Sequence, residues 1–141
     1  MSIGKWVLAA AALGGGAHLW QVHQHSVLNS KLQVVADSYG FVPILAGGNA
    51  PPNTAVVLAA LNCPSAQAKR ADALASRLSE LGIPNTRANT YRVGGVTGDQ
   101  SAMIEQTSAV LGGEIPVVIV IGRAKANPSA EVVVAEMRRG T

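Results

Sequence analysis

The chain has 141 residues, enough for one domain with additional segments. Charged residues make up 13% against 48% hydrophobic, which points to contact with a membrane or a partner along part of its length. The net charge is +3, but no basic stripe is interleaved with aromatics, which argues against nucleic-acid binding. The single cysteine, Cys63, excludes an internal disulfide and a Cys-rich metal site.

In chain order, Met1 to Lys5 is short and carries one positive side chain, Trp6 to Leu13 is apolar, and Gly14-Gly15-Gly16-Ala17 follows. Two readings stand. One is a secretory signal cleaved near Ala17; the other is an uncleaved anchor over residues 3–20, at the short end for a membrane-spanning helix. The second places the protein in a bacterial inner membrane, and Lys5 ahead of the segment favours export of the C-terminal part. His18, His23 and His25 lack a nearby Cys, Asp or Glu and read as interfacial residues beside Trp20 rather than metal ligands. Leu19 to Ala36 has the spacing of a juxtamembrane helix. Tyr39 to Asn53 carries Gly40, Pro43, Gly47, Gly48, Pro51 and Pro52, the marks of a linker or wrapping loop.

From Thr54 onward the punctuation is regular. Ala55 to Leu61 is an apolar run of strand length, and Asn62-Cys63-Pro64-Ser65 leads into a helix over Ala66 to Leu81, with Pro64 suited to its first position. Ala71, Leu74, Ala75 and Leu78 recur at helical spacing, and Gly82 and Pro84 stop the helix. Thr86 to Arg92 alternates as a strand. Val93 to Gly98 is a loop; its glycines precede a helix but lack the Gly-Lys-Ser/Thr ending of a phosphate loop. Thr97 and Gln100 have capping-box spacing, and the helix after them buries Met103, Ile104, Thr107 and Val110 or Leu111. Pro116 to Ile121 is the strongest strand, its unbroken β-branched run implying burial on both faces. Gly122-Arg123 turns into a short strand over Ala124 to Ala126. Asn127 suits an N-cap and Pro128 the first turn of a last helix, whose inward positions are Ala130, Val133, Val134 and Met137.

The order strand, helix, strand, helix, strand, strand, helix predicts an α/β domain over residues 54–141. Its first two strands are parallel and its last two form a hairpin, in a four-stranded mixed sheet between helices. A thiol just before a helix lies at the positive end of the helix dipole, where the thiolate is favoured. The alternative is a buried, inert cysteine, since free cysteine is among the most buried residue types.

Thr54 to Arg139 resembles a glutaredoxin, a thioredoxin-fold family. Cys63-Pro64-Ser65-Ala66 stands at the place of the family's C-P-x-C motif. Leu81-Gly82-Ile83-Pro84 resembles the segment before its second strand, and Gly113 to Arg123 resembles its V-P-strand-G element. The resemblance implies a cis Ile115–Pro116 bond beside the sulfur. It also implies Cys63 as nucleophile, Pro116 as the residue that positions substrate, and Pro64, Ser65 and Ile115 as substrate contacts. The chain departs from the pattern at Ala66, where the second cysteine would stand, and at Ala60, where a lysine would hold the carboxylate of glutathione. These departures lead to a first functional expectation: a membrane-anchored, degenerate thioredoxin-fold module, with no cofactor, serving as an accessory subunit among other proteins of an envelope complex. The second is a monothiol thiol–disulfide oxidoreductase using Cys63, with glutathione as the cofactor such a reaction could employ. An iron–sulfur carrier would need glutathione as a further ligand.

Overall fold

The computed structural model describes residues 36–47, 50–95 and 98–141. The expected anchor over residues 3–20, the histidines and most of the juxtamembrane helix lie outside those residues. Among the described residues no helix is long and apolar enough to cross a membrane.

Among the described residues, five strands and three helices follow in the order β1 (Val42–Pro43), β2 (Ala55–Leu58), α1 (Ala66–Glu80), β3 (Asn85–Ala88), α2 (Ser101–Leu111), β4 (Val117–Val120), β5 (Arg123–Ala126) and α3 (Ala130–Arg139). They build one α/β layer structure with a mixed sheet in the order β1-β5-β4-β2-β3. β2 and β3 are parallel, joined by the helical crossover that parallel pairing demands, and every other pairing is antiparallel. Val57 lies opposite Val118, and Leu58 opposite Val117.

Strand alternation divides the apolar side chains between two faces. Ala55, Val57, Ala59, Val118 and Val120 form one cluster with Ala71, Leu74 and Leu78 of α1 and with Val133, Val134 and Met137 of α3. α2 adds nothing to that cluster; it packs on β1 and β5, and Val56, Val117 and Ile119 on its side of the sheet are buried as well. All four residues of β4 are buried, so both of its faces are covered.

The sheet has five strands rather than four, because part of the expected linker joins the fold. Val42 and Pro43 pair with Ala124 and Arg123 at the sheet edge, where a proline without an N–H leaves no ladder bond unmade. Phe41 is fully buried in the main cluster. Beyond β1 the chain is fastened to its own domain: Leu45 N–H donates to Thr107 Oγ1 at 3.0 Å, and Tyr91 O–H donates to Leu45 O at 3.2 Å.

Several boundaries differ from expectation, each for a local reason. α1 starts at Ala66, because Ser65 is its N-cap with Oγ accepting from Ala68 N–H; Pro64 therefore precedes the helix instead of opening it. α3 is capped by Ser129, not Asn127; Asn127 takes a left-handed conformation (φ 45°) and its N–H bonds Pro116 O at 2.7 Å. α2 has Gln100 as N-cap with no side-chain capping bond, and Thr97 lies outside the described residues. Ile104 is 42% exposed rather than inward, while Thr107 and Val110 are buried. The hairpin turn is Ile121–Gly122, one residue earlier than expected, with positive φ at both positions as a two-residue primed turn requires.

Candidate functional site

Cys63 sits in the segment that leaves β2 and enters α1. Ala59 still belongs to the sheet, its N–H donating to Ala88 O at 3.0 Å. Asn62 then adopts φ 51°, a conformation Asn tolerates better than most residues, and this reverses the chain toward the helix. Cys63 is half-buried, Pro64 is exposed and Ser65 is half-buried. The thiol is accessible, unlike the inert core cysteine that composition would favour.

Ser65 makes the local electrostatics. Its Oγ accepts from Ala68 N–H at 3.2 Å, one of the helix N–H groups without an intrahelical partner. Its hydroxyl and its own N–H donate to the Cys63 sulfur. The thiol is held below the ordinary cysteine range, first by the Ser65 hydroxyl and second by the Ser65 N–H, against the opposing effect of partial burial. Donors that favour the charged form of a thiol beside a helix start raise its thiolate fraction and with it its reactivity.

Pro116 opens β4 at the same end of the sheet. Val117 is paired with Leu58, the last residue of β2, so the chain enters β4 beside the place where it leaves β2. The Ile115–Pro116 peptide bond is cis, Pro116 is fully buried and Ile115 half-buried. Arg70, in the second turn of α1, donates to Ile115 O at 3.0 Å and pairs with Glu114 at 3.2 Å. The helix that starts after Cys63 thus carries a guanidinium that holds the Ile115 carbonyl. Of the five residues singled out from sequence, Cys63 and Ser65 are in direct contact. Pro64 lies between them in the chain, and Ile115 and Pro116 are tied to the same helix through Arg70.

Arg87 is a feature that sequence reading missed. Its side chain is 17% exposed. It donates from Nη1 to Val57 O at 3.1 Å and Ala59 O at 3.5 Å, from Nη2 to Ala60 O at 3.2 Å, and from Nε to Asp72 of α1 at 3.0 Å. A charged residue at mid-strand was the available signal; its partners are set by the fold alone. A hollow of about 210 Å³ adjoins this end of the sheet, lined by Leu58, Ala60, Tyr91, Leu111, Ile115 and Val117 among others.

A second charged cluster lies elsewhere. Asp37 and Glu136, with side chains 8% and 3% exposed, share Arg123 and Arg139: Asp37 Oδ2 is 3.0 Å from Arg123 Nε and 2.7 Å from Arg139 Nη2. No sequence spacing relates these two carboxylates. Both face arginines, which suits a structural tie rather than acid–base work. Among the described residues, no group of three or more His, Cys, Asp and Glu is placed to hold a metal ion.

Ala60, where the glutaredoxin resemblance would place a cation for the carboxylate of glutathione, is exposed and uncharged, and Arg70 and Arg87 are engaged with backbone carbonyls and acidic side chains. No family model, no curated protein and no solved structure matches the chain.

Proposed function

We propose that this chain is a single-cysteine module of thioredoxin type in which Cys63 exchanges disulfides with a protein partner. The observation that carries the reading is the partly exposed Cys63 just before α1, whose thiol is held below the ordinary cysteine range by both donors of Ser65. The element order and the strand order β3-β2-β4-β5, with β4 entering beside the end of β2, support a scaffold of that kind. The thiolate attacks one sulfur of a partner disulfide. A bond forms between Cys63 Sγ and that sulfur, the partner's S–S bond breaks, and the departing thiolate takes a proton from water. A second thiol then attacks the mixed disulfide and restores Cys63. In this reading Pro116 and Ile115, at the start of the strand that pairs with the end of β2, serve as contacts for the partner, and Pro64 and Ser65 flank the cysteine in the chain. No step passes through glutathione.

The test is the rate of Cys63 alkylation against pH, followed by formation of a mixed disulfide with a peptide disulfide. The expected midpoint lies below the ordinary cysteine value of about 8.5. A midpoint at or above that value, with no mixed disulfide formed, would overturn the reading.

A second reading is favoured by Ala66 and Ala60, which stand where a resolving cysteine and a carboxylate-binding lysine would be needed. In it the module is an accessory subunit of a membrane or envelope complex, anchored through residues 3–20, and the thiol is unused. Purification of the full chain with stoichiometric partner subunits that persist after Cys63→Ser would support this second reading. A lone monomer extracted in mild detergent would count against it.

A further inference from the structure

We propose that Arg87 is a positioning residue for Cys63: its guanidinium braces the two ends of the segment that carries the thiol. The inference rests on the reading of Cys63 as a nucleophile. The segment from Ala60 to Ser65 has one end on β2 and the other on α1. Arg87 reaches both, taking the Val57, Ala59 and Ala60 carbonyls at the strand end and the Asp72 carboxylate on the helix. The Val57 carbonyl lies within β2, whereas those of Ala59 and Ala60 fall past its last residue, Leu58, where the chain turns out of the sheet. Backbone acceptors in such a place need a donor, and a fork of N–H groups supplies several at once in one fixed plane.

The geometry at the sulfur depends on that hold. Ser65 can donate to Sγ through both its hydroxyl and its N–H only if the helix start and the Cys63 backbone keep one relative position. The intervening residues do not secure it: Ala60, Leu61, Asn62 and Pro64 are exposed, and Asn62 is in the left-handed region. The hold therefore comes from outside the segment. Arg70 does the corresponding work on the far side, from α1 to the Ile115 carbonyl.

Two variants of the full chain separate bracing from a simple charge effect. Arg87→Met removes the brace together with a positive charge. Asp72→Ala releases only the helix end, because it leaves no side-chain acceptor for Arg87 Nε; Asp72 is exposed, so the fold is kept. A field effect alone would make the thiol more reactive in Asp72→Ala, because a negative charge is lost and Arg87 is unmasked. Bracing predicts the opposite: in both variants the pH midpoint of Cys63 alkylation rises, and the rate at neutral pH falls by about threefold or more. Amide exchange over residues 60–65 should quicken in parallel, with the β2 and β4 amides unchanged.

A lower or unchanged midpoint in Asp72→Ala, with the unaltered chain still titrating below an ordinary thiol, overturns the brace and leaves the reading of Cys63 standing. An ordinary midpoint in the unaltered chain itself overturns both. If Arg87→Met does not fold, Asp72→Ala decides alone.

Discussion

Phe41→Ala tests whether the segment before residue 54 belongs to the fold. Phe41 is 0% exposed and lies in the main cluster with Val57, Leu78 and Val133. The turn that delivers it is closed by Asp37: its carboxylate accepts from Tyr39 N–H at 2.8 Å and Phe41 N–H at 3.0 Å, and Asp37 N–H donates to Phe41 O at 2.9 Å. Burying a phenyl ring removes on the order of 150–200 Å² from water, worth roughly 4–5 kcal/mol at about 25 cal/mol per Å². Large-to-small substitutions at such sites cost about 3–5 kcal/mol, in agreement. Set against a typical domain stability of about 5–15 kcal/mol, that is a large fraction. The assay is equilibrium urea unfolding of the full chain, with the slope checked to be unchanged so that the midpoint reports stability. The expected result is a loss of about 3–5 kcal/mol and a fall in Tm on the order of 15–30 °C. A loss under about 1 kcal/mol would mean that Phe41 does not share the core, and the five-stranded description would fall with it.

Three further outcomes are expected. Ser65→Ala removes the α1 cap, costing about 0.5–2 kcal/mol, and also removes a donor to Cys63, so the thiol midpoint rises; an unchanged alkylation profile would refute the link between cap and sulfur. Burial alone would raise the Asp37 pKa, but the Phe41 and Tyr39 N–H groups, the Glu136 contact and Arg123 outweigh it and hold the carboxyl below its usual range. A carboxylate depressed in the folded state stabilises fully above its unfolded pKa of about 3.9, and the contribution is lost as pH falls through the lower folded value. Asp37→Asn should therefore be less stable near neutrality and lose stability less steeply on acidification; parallel Tm–pH curves would refute this. Ile121 is a β-branched residue at φ 47° and 46% exposed, so Ile121→Asn relieves about 1–2 kcal/mol of backbone strain against roughly 1 kcal/mol of lost apolar contact. Stability equal to or slightly above the unaltered chain is expected in thermal unfolding, and a drop of more than about 1 kcal/mol would refute the strain argument.

The sequence revealed the elements whose signal is local and repeated. The β-branched run of β4 has only one arrangement that buries both its faces, and Ala71, Leu74 and Leu78 keep helical spacing over two turns. β1 was illegible because two residues carry no period, and because Gly40, Pro43 and Gly47 read as breakers. The one available hint was Phe41-Val42-Pro43-Ile44, an apolar run containing the chain's only Phe. Cap positions failed where two candidates lay within two residues of each other. Pro64 and Ser65, like Asn127 and Ser129, each suit a helix start, and the choice turns on which side chain reaches back to a free N–H, a question of backbone angles. The position of Cys63 before a helix was legible. Arg87 was not, because its four acceptors lie 15 to 30 residues away and meet only when β2, β3 and α1 are assembled.

Ser65 joins two functions that sequence motifs treat separately. The same hydroxyl accepts from the Ala68 N–H and donates to the Cys63 sulfur, so the partial positive charge of the helix start is passed on to the sulfur through one oxygen. Each bond polarises the other: accepting from Ala68 sharpens the O–H as a donor, and donating to a thiolate makes the oxygen a better acceptor. Helix stability and thiol acidity should then move together across substitutions at this position. Thr, which retains the hydroxyl, should preserve both, whereas Ala should lose both. Gly, which costs a cap only a few tenths of a kcal/mol, should keep most of the helix and lose the acidity, because it has no hydroxyl to give the sulfur. Should Ser65→Gly alkylate with the pH profile of the unaltered chain, the relay through the oxygen is excluded, and the backbone N–H of residue 65 is the donor that matters.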